Sequence, residues 1–86
     1  MTRADDYILE LLRDAGIAAN PSTIGYNIDY DRRYVSERCR TLSQNGLLER
    51  VDESKAMYRI TEKGRAYLAG ELDASDLEDD KNTTEG

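Results

Sequence analysis

In STIGYNIDYDRRYVSERCRTLSQNGLLERV, residues 22–51, two helical patterns lie on either side of a very short turn. Just ahead of it, Asn20 is a good N-cap, and Pro21 suits the first helical position, where no backbone N–H is needed. Ile24 and Ile28 repeat at i, i+4, which predicts a short helix ending near Asn27 or Ile28. Gly25 between them costs helix stability, so its value lies in the close approach of another helix. Asp29 takes the left-handed conformation that a tight turn requires. Asp31 then caps a longer helix reaching about Asn45. At about 100° per residue, Val35, Cys39 and Leu42 fall in one narrow sector and face the core. Asn45-Gly46 ends this helix, with Gly46 at the left-handed position.

Upstream, a first helix is predicted from about Arg3 to Asp14, with Thr2 as N-cap and Asp5 in the return position of a capping-box-like pair. Ala4, Ile8, Leu11, Leu12 and Ala15 share one face at helical spacing, and Gly16 supplies the stop. Downstream of Gly46 the period changes. LLERVDESKAMYRIT reads as two strands, about 47–52 and 56–61, around a polar DESK connection, with Tyr58 and Ile60 on one face. Thr61 caps a fourth helix in which Leu68 and Leu72 align at i, i+4, while Gly70 and the acids after it weaken that helix. The chain thus divides into a domain over 1–72 and a tail over 73–86, for which the near absence of apolar residues predicts disorder.

Eighty-six residues allow a single domain, and with 38% hydrophobic residues and neither Trp nor Phe its core is small and aliphatic. One cysteine forms no internal disulfide, and without histidine a zinc site has no basis. The same poverty of His and Cys, with no glycine-rich phosphate loop, argues against an enzyme; no catalytic residue, metal or cofactor is expected. No run of 18 apolar residues and no signal-peptide pattern is present, so a cytoplasmic protein without a membrane partner is the expectation. The formal net charge of -6 is uneven. Residues 71–86 hold seven acids against one base, which leaves eleven acids and eleven bases in residues 1–70. The body is neutral and still gathers five arginines between Asp31 and Val51.

A short helix, a tight turn and a longer helix make the helix-turn-helix arrangement, and its spacing is demanding: apolar Ile24, small Gly25, apolar Ile28, Tyr30 and Val35. With a hairpin and a capped helix behind it, the chain resembles the winged helix-turn-helix transcription regulators, an α+β fold with a three-helix core, a β-hairpin wing and a C-terminal fourth helix. The likeness rests on residues 22–51 and on YRITEKGRAYL, residues 58–68, and is closer to small phage-repressor-like regulators of halophilic archaea. The resemblance implies that the third helix enters the major groove of double-stranded DNA, with Arg32, Arg33, Tyr34, Ser36, Glu37 and Arg40 at or near the bases. The helical geometry agrees, because Arg33, Glu37, Arg40 and Gln44 lie opposite the Val35–Cys39–Leu42 sector. Arginine reads guanine, Glu accepts from cytosine N4, and Tyr34 and Arg32 flank the stripe within reach of phosphates. The competing reading makes Arg33, Glu37 and Arg40 a solvated salt-bridge ladder worth only a few tenths of a kcal/mol per pair.

The wing departs from the family's basic pattern, since Asp52 and Glu53 sit near its tip; Arg50 and Lys55 are its candidate phosphate contacts. Cys39 reads as a small core residue. The expected function is a sequence-specific transcription regulator, in the simplest case a repressor; the alternative is a winged-helix protein-interaction adaptor. A small core and paired recognition helices favour a homodimer on a palindromic operator, through Tyr7, Tyr67, Leu68 and Leu72. No small-molecule ligand is evident. Nine arginines against three lysines, excess acid and scarce large apolar residues read as adaptation to concentrated salt.

Overall fold

The computed structural model describes residues 2–52 and 54–71. Its order is α1 (Arg3–Ala15), α2 (Pro21–Ile28), α3 (Arg32–Gln44), β1 (Leu48–Asp52), β2 (Met57–Ile60) and α4 (Glu62–Leu68). Helix α1 begins with a full capping box: the Thr2 hydroxyl accepts from the Asp5 N–H at 3.2 Å, and the Asp5 carboxylate accepts from the Thr2 N–H at 2.9 Å. Gly16, at φ 68°, closes the helix by donating to the Leu12 carbonyl. The buried face is Ala4, Asp5, Ile8, Leu9 and Leu12, whereas Leu11 is half-buried and Ala15 exposed. The helix is thus rolled toward Asp5 and Leu9 relative to the face that apolar spacing picks out.

Asn20 caps α2 by accepting from the Thr23 N–H at 2.8 Å, and Asp29 takes the left-handed turn position at φ 65°. Gly25 is required by close approach. A Cβ there would stand 2.7 Å from the Tyr30 carbonyl oxygen and 3.5 Å from a Val35 methyl. The pressing neighbour is therefore the carbonyl of the turn itself, with α3 just behind it. Asp31 caps α3, and Val35, Cys39 and Leu42 are its buried sector, as their spacing predicts. At the other end, Gly46 donates to the Ser43 carbonyl and Leu47 to the Leu42 carbonyl, the paired bonds that turn a chain sharply out of a helix. That turn drives Leu47 into the core at 0% exposure.

The hairpin pairs Leu48 with Ile60, Glu49 with Arg59 and Arg50 with Tyr58, then shifts so that Asp52 faces Met57. The shift leaves Val51 as an extra residue on β1, 44% exposed. Strand β2 has a second partner: Ala19 and Tyr58 exchange two N–H···O bonds of 2.9 Å, binding the α1–α2 loop to the hairpin. Tyr58 and Ile60 both point into the core. Thr61 caps α4 by accepting from the Gly64 N–H, while its hydroxyl donates to the Gly46 carbonyl at 2.6 Å, so the exit of α3 and the entry of α4 are joined.

Helix α4 is shorter than predicted. Gly70, at φ 83°, donates to the Tyr67 carbonyl and Glu71 to the Ala66 carbonyl, which ends the helix at Leu68. The expected i, i+4 alignment of Leu68 with Leu72 involves a residue beyond this helix. Leu72 itself, Glu53 and the tail 73–86 lie outside the described residues. The result is the α+β winged helix-turn-helix architecture, with a core of Ile8, Leu9, Leu12, Ile24, Val35, Cys39, Leu42 and Leu47 at its centre.

Candidate nucleic-acid interface

The face of α3 opposite its buried sector carries Arg33, Glu37, Arg40 and Gln44, all exposed, with Arg32 exposed beside them and Ser36 half-buried. Among the described residues no ion pair or hydrogen bond engages the guanidinium of Arg32, Arg33 or Arg40. The solvated salt-bridge ladder that the sequence also permits is therefore not formed. Three fixed cations without carboxylate partners stand on one exposed helix.

The fourth arginine of α3 is used differently, and apolar periodicity gave no sign of it. Arg38 turns back to α1, where its Nε and Nη2 donate to the two oxygens of Asp5 at 2.8 and 2.7 Å. Asp5 is fully buried and Arg38 a quarter exposed. Burial by itself pushes the Asp5 carboxyl up, but the Arg38 guanidinium and the Thr2 backbone N–H together hold it below the usual carboxylate range. Arg38 is raised, chiefly by the same hydrogen bond from its side to Asp5. The sequence marks Asp5 only as a capping acid; its burial, and with it the need for a cation, appears in the fold.

The wing is largely self-engaged. Arg50 Nε donates to the Asp52 and Lys55 carbonyls at 3.2 and 3.4 Å, so this arginine braces the tip. Asp52 accepts from the Ser54 hydroxyl and N–H, both at 2.9 Å, and these bonds lower its pKa. The acid at the wing tip is thus a turn-forming residue. Arg59 is paired with Glu49 across the strands at 3.1 Å, leaving exposed Lys55 as the basic side chain at the tip.

Tyr7 of α1, Tyr30 of the turn and Tyr34 of α3 form a tilted ladder with ring centroids 6.2 and 6.0 Å apart. Tyr67 is half-buried and donates its hydroxyl to Asp6 at 3.1 Å, and Leu68 packs against the core. Cys39 is buried, and desolvation pushes its thiol up to about 12, which keeps it protonated at neutral pH. No cluster that could hold a metal ion occurs among the described residues. A shallow depression of about 600 Å³, lined among others by Leu12, Ile17, Val51 and Arg65, opens beside the hairpin and includes no residue of α3. No described helix is long and apolar enough to cross a membrane.

A sequence model of the winged helix-turn-helix phage repressor family matches residues 1–80. The chain is 41% identical over 80 residues to the repressor protein of Halobacterium phage phiH, covering 91% of this chain and 90% of that one. Among solved structures, the PhiH1 repressor-like protein from Haloarcula marismortui superposes with a TM-score of 0.72 at 35% identity, covering 86% of this chain and 83% of that one. The PcaV transcriptional regulator from Streptomyces coelicolor, solved with its natural ligand, gives 0.64 at 19% identity over 99% of this chain and 72% of its own, a likeness of fold.

Proposed function

The chain belongs to the winged helix-turn-helix phage repressor family, and from that membership we propose that it is a sequence-specific repressor that inserts α3 into the major groove of its operator. The observation that carries the proposal is the set of unpaired guanidiniums of Arg32, Arg33 and Arg40 on the exposed face of α3. A partner rich in bidentate acceptors satisfies them; guanine O6 and N7 are such acceptors, and phosphate oxygens serve those on the flank. Arg33 and Arg40 read bases, Glu37 accepts from cytosine and Gln44 extends the stripe. Arg32, Tyr34 and Ser36 border the groove, and Lys55, with Arg50 behind it, meets the phosphates from the wing.

The repressor acts in the cytoplasm as a homodimer on a palindromic operator with half-sites about one helical turn apart. Tyr67, Leu68, Leu72 and Tyr7 supply the proposed contact between copies. The relatives from Halobacterium phage phiH and Haloarcula marismortui support a concentrated-salt setting. At 1 M ionic strength the Debye length is about 3 Å, so bulk attraction to phosphate contributes little and short-range base contacts carry the discrimination.

Operator sequences selected from a random DNA pool at molar KCl supply the test, followed by mobility shift on selected and scrambled DNA. Arg33→Ala or Arg40→Ala is expected to weaken operator binding by about 1–3 kcal/mol and to relax base preference, with the fold intact. Lys55→Ala is expected to weaken both DNAs slightly and equally. Equal losses on both DNAs in the arginine variants reduce α3 to a charge patch. No retarded fragment at any salt favours a protein-interaction adaptor instead.

A further inference from the structure

Helix α3 is anchored in the core by three small or medium side chains, Val35, Cys39 and Leu42, which occupy one narrow sector. Apolar contacts of this kind resist removal of the helix strongly and its rotation about its own axis only weakly, because burial is non-directional. Rotation matters here. A base contact made by a forked arginine needs its donors placed within about half an ångström, and a small roll of the helix moves the outward side chains by more than that.

Directional restraint comes from one flank. At about 100° per residue, Arg38 lies between the buried sector and the outward stripe, on the side that faces α1. Its guanidinium is clamped by both oxygens of Asp5, and Asp5 is held in turn by the Thr2 N–H at 2.9 Å. The carboxylate therefore accepts three N–H groups, one from the cap of its own helix and two from the Arg38 fork of α3. A planar fork on a planar acceptor fixes angle as well as distance. One carboxylate thus caps α1 and indexes α3.

We propose that Arg38 is a positioning residue for DNA recognition: through its two-pronged bond to Asp5 it sets the rotation of α3, and with it the angle at which Arg33, Glu37 and Arg40 meet the bases. Arg38 points away from the proposed groove and touches no base. It determines specificity through the side chains it orients. This rests on the reading of α3 as the DNA-reading helix.

Arg38→Lys separates orientation from charge. The lysine keeps a cation opposite buried Asp5 and leaves the net charge unchanged, but a single ammonium on a flexible stem does not reproduce the fork. Binding of wild type, Arg38→Lys, Asp5→Asn and Thr2→Ala is measured on wild-type-selected operator and on scrambled DNA at matched salt, alongside thermal melting. Thr2→Ala removes the cap hydroxyl of α1 and leaves the fork in place, so it reports loss of stability alone. Arg38→Lys is expected to bind scrambled DNA as wild type does and to lose about tenfold on operator. Re-selection with this variant is expected to give a flatter base preference at positions read by Arg33 and Arg40. Asp5→Asn, which leaves the guanidinium one acceptor oxygen instead of two, is expected to lose discrimination in the same direction and serves if Arg38→Lys does not fold. An operator-to-scrambled ratio equal to that of wild type in either folded fork variant overturns the proposal, as does an equal loss of discrimination in Thr2→Ala. A wild type that selects no sequence overturns the DNA-reading function instead, a result distinct from both.

Discussion

Gly64→Ala is expected to destabilise the domain by about 3 kcal/mol, a drop of roughly 12–24 °C in thermal midpoint for a chain of this size. On propensity alone the sign is opposite, because alanine in a helix is favoured over glycine by about 1 kcal/mol. Close approach decides the matter. A Cβ on Gly64 would collide with the Leu47 carbonyl oxygen and stand 2.7 Å from Ile60 Cγ1. Neither neighbour yields easily, since that carbonyl accepts from the Thr61 N–H at 3.1 Å and Ile60 is 8% exposed at the end of β2. Gly70→Ala is the comparison. Nothing lies within 4 Å of that position, but φ is 83°, so only left-handed strain of about 1 kcal/mol is expected. Thermal melts of the two variants at one salt concentration check the ranking. A stabilised Gly64→Ala would mean that α4 does not seat against the start of the wing.

Arg38→Ala is expected to cost about 3 kcal/mol at pH 7, near the lower end for a broken buried pair because a quarter of the arginine side chain stays exposed. The cost depends on pH in a direction that identifies the partner. In the wild type the Asp5 pKa is depressed, so its stabilisation is present above the unfolded value near 3.9 and is lost as pH falls through the lower native value. Without Arg38, its hydrogen bond and its charge no longer lower the Asp5 pKa, so the native value is higher in the variant than in the wild type. On acidification the variant's Asp5 therefore takes up its proton before the wild type's, and the uncompensated carboxylate that causes the deficit disappears first in the variant. The gap between the two proteins should accordingly narrow from pH 7 to pH 3. Denaturant unfolding at both pH values measures it. A gap of constant size would place the cost of the substitution outside the carboxylate.

Both predictions turn on residues that local sequence pattern could not value. The helix caps Thr2, Asn20, Asp31 and Thr61, the left-handed Asp29 and the Val35–Cys39–Leu42 sector were legible because each depends on neighbours within a few residues. The face of α1 was not. Apolar spacing favoured Leu11 and Ala15 over Leu9 and Asp5, and a carboxylate cannot be read as buried until its partner, 33 residues away, is known. The spacing of Leu68 and Leu72 fits a longer α4, but the left-handed Gly70 and the bonds from Gly70 and Glu71 end that helix at Leu68. At the interface, the outward stripe of α3 followed from periodicity, and the spacing also permitted its arginines to pair with Glu37. The bracing by Arg50 lies within five residues but depends on the bulged geometry of the hairpin, and Tyr7 joins Tyr30 and Tyr34 only through tertiary packing.

The two bonds between Ala19 and Tyr58 give the wing a time signature. A hairpin fastened along one edge sheds its amide protons by fraying, strand by strand, without disturbing the rest of the molecule. Here each of the two amides is released only when the α1–α2 loop and β2 separate together. Tyr58 is also 5% exposed, so that separation uncovers part of the core. In deuterated solvent these two positions should therefore fade at a single common rate, long after the amides around Ser54 and Lys55 have gone silent. The root of the wing in this repressor-family domain would then open with the core and not with the turn at Ser54 and Lys55.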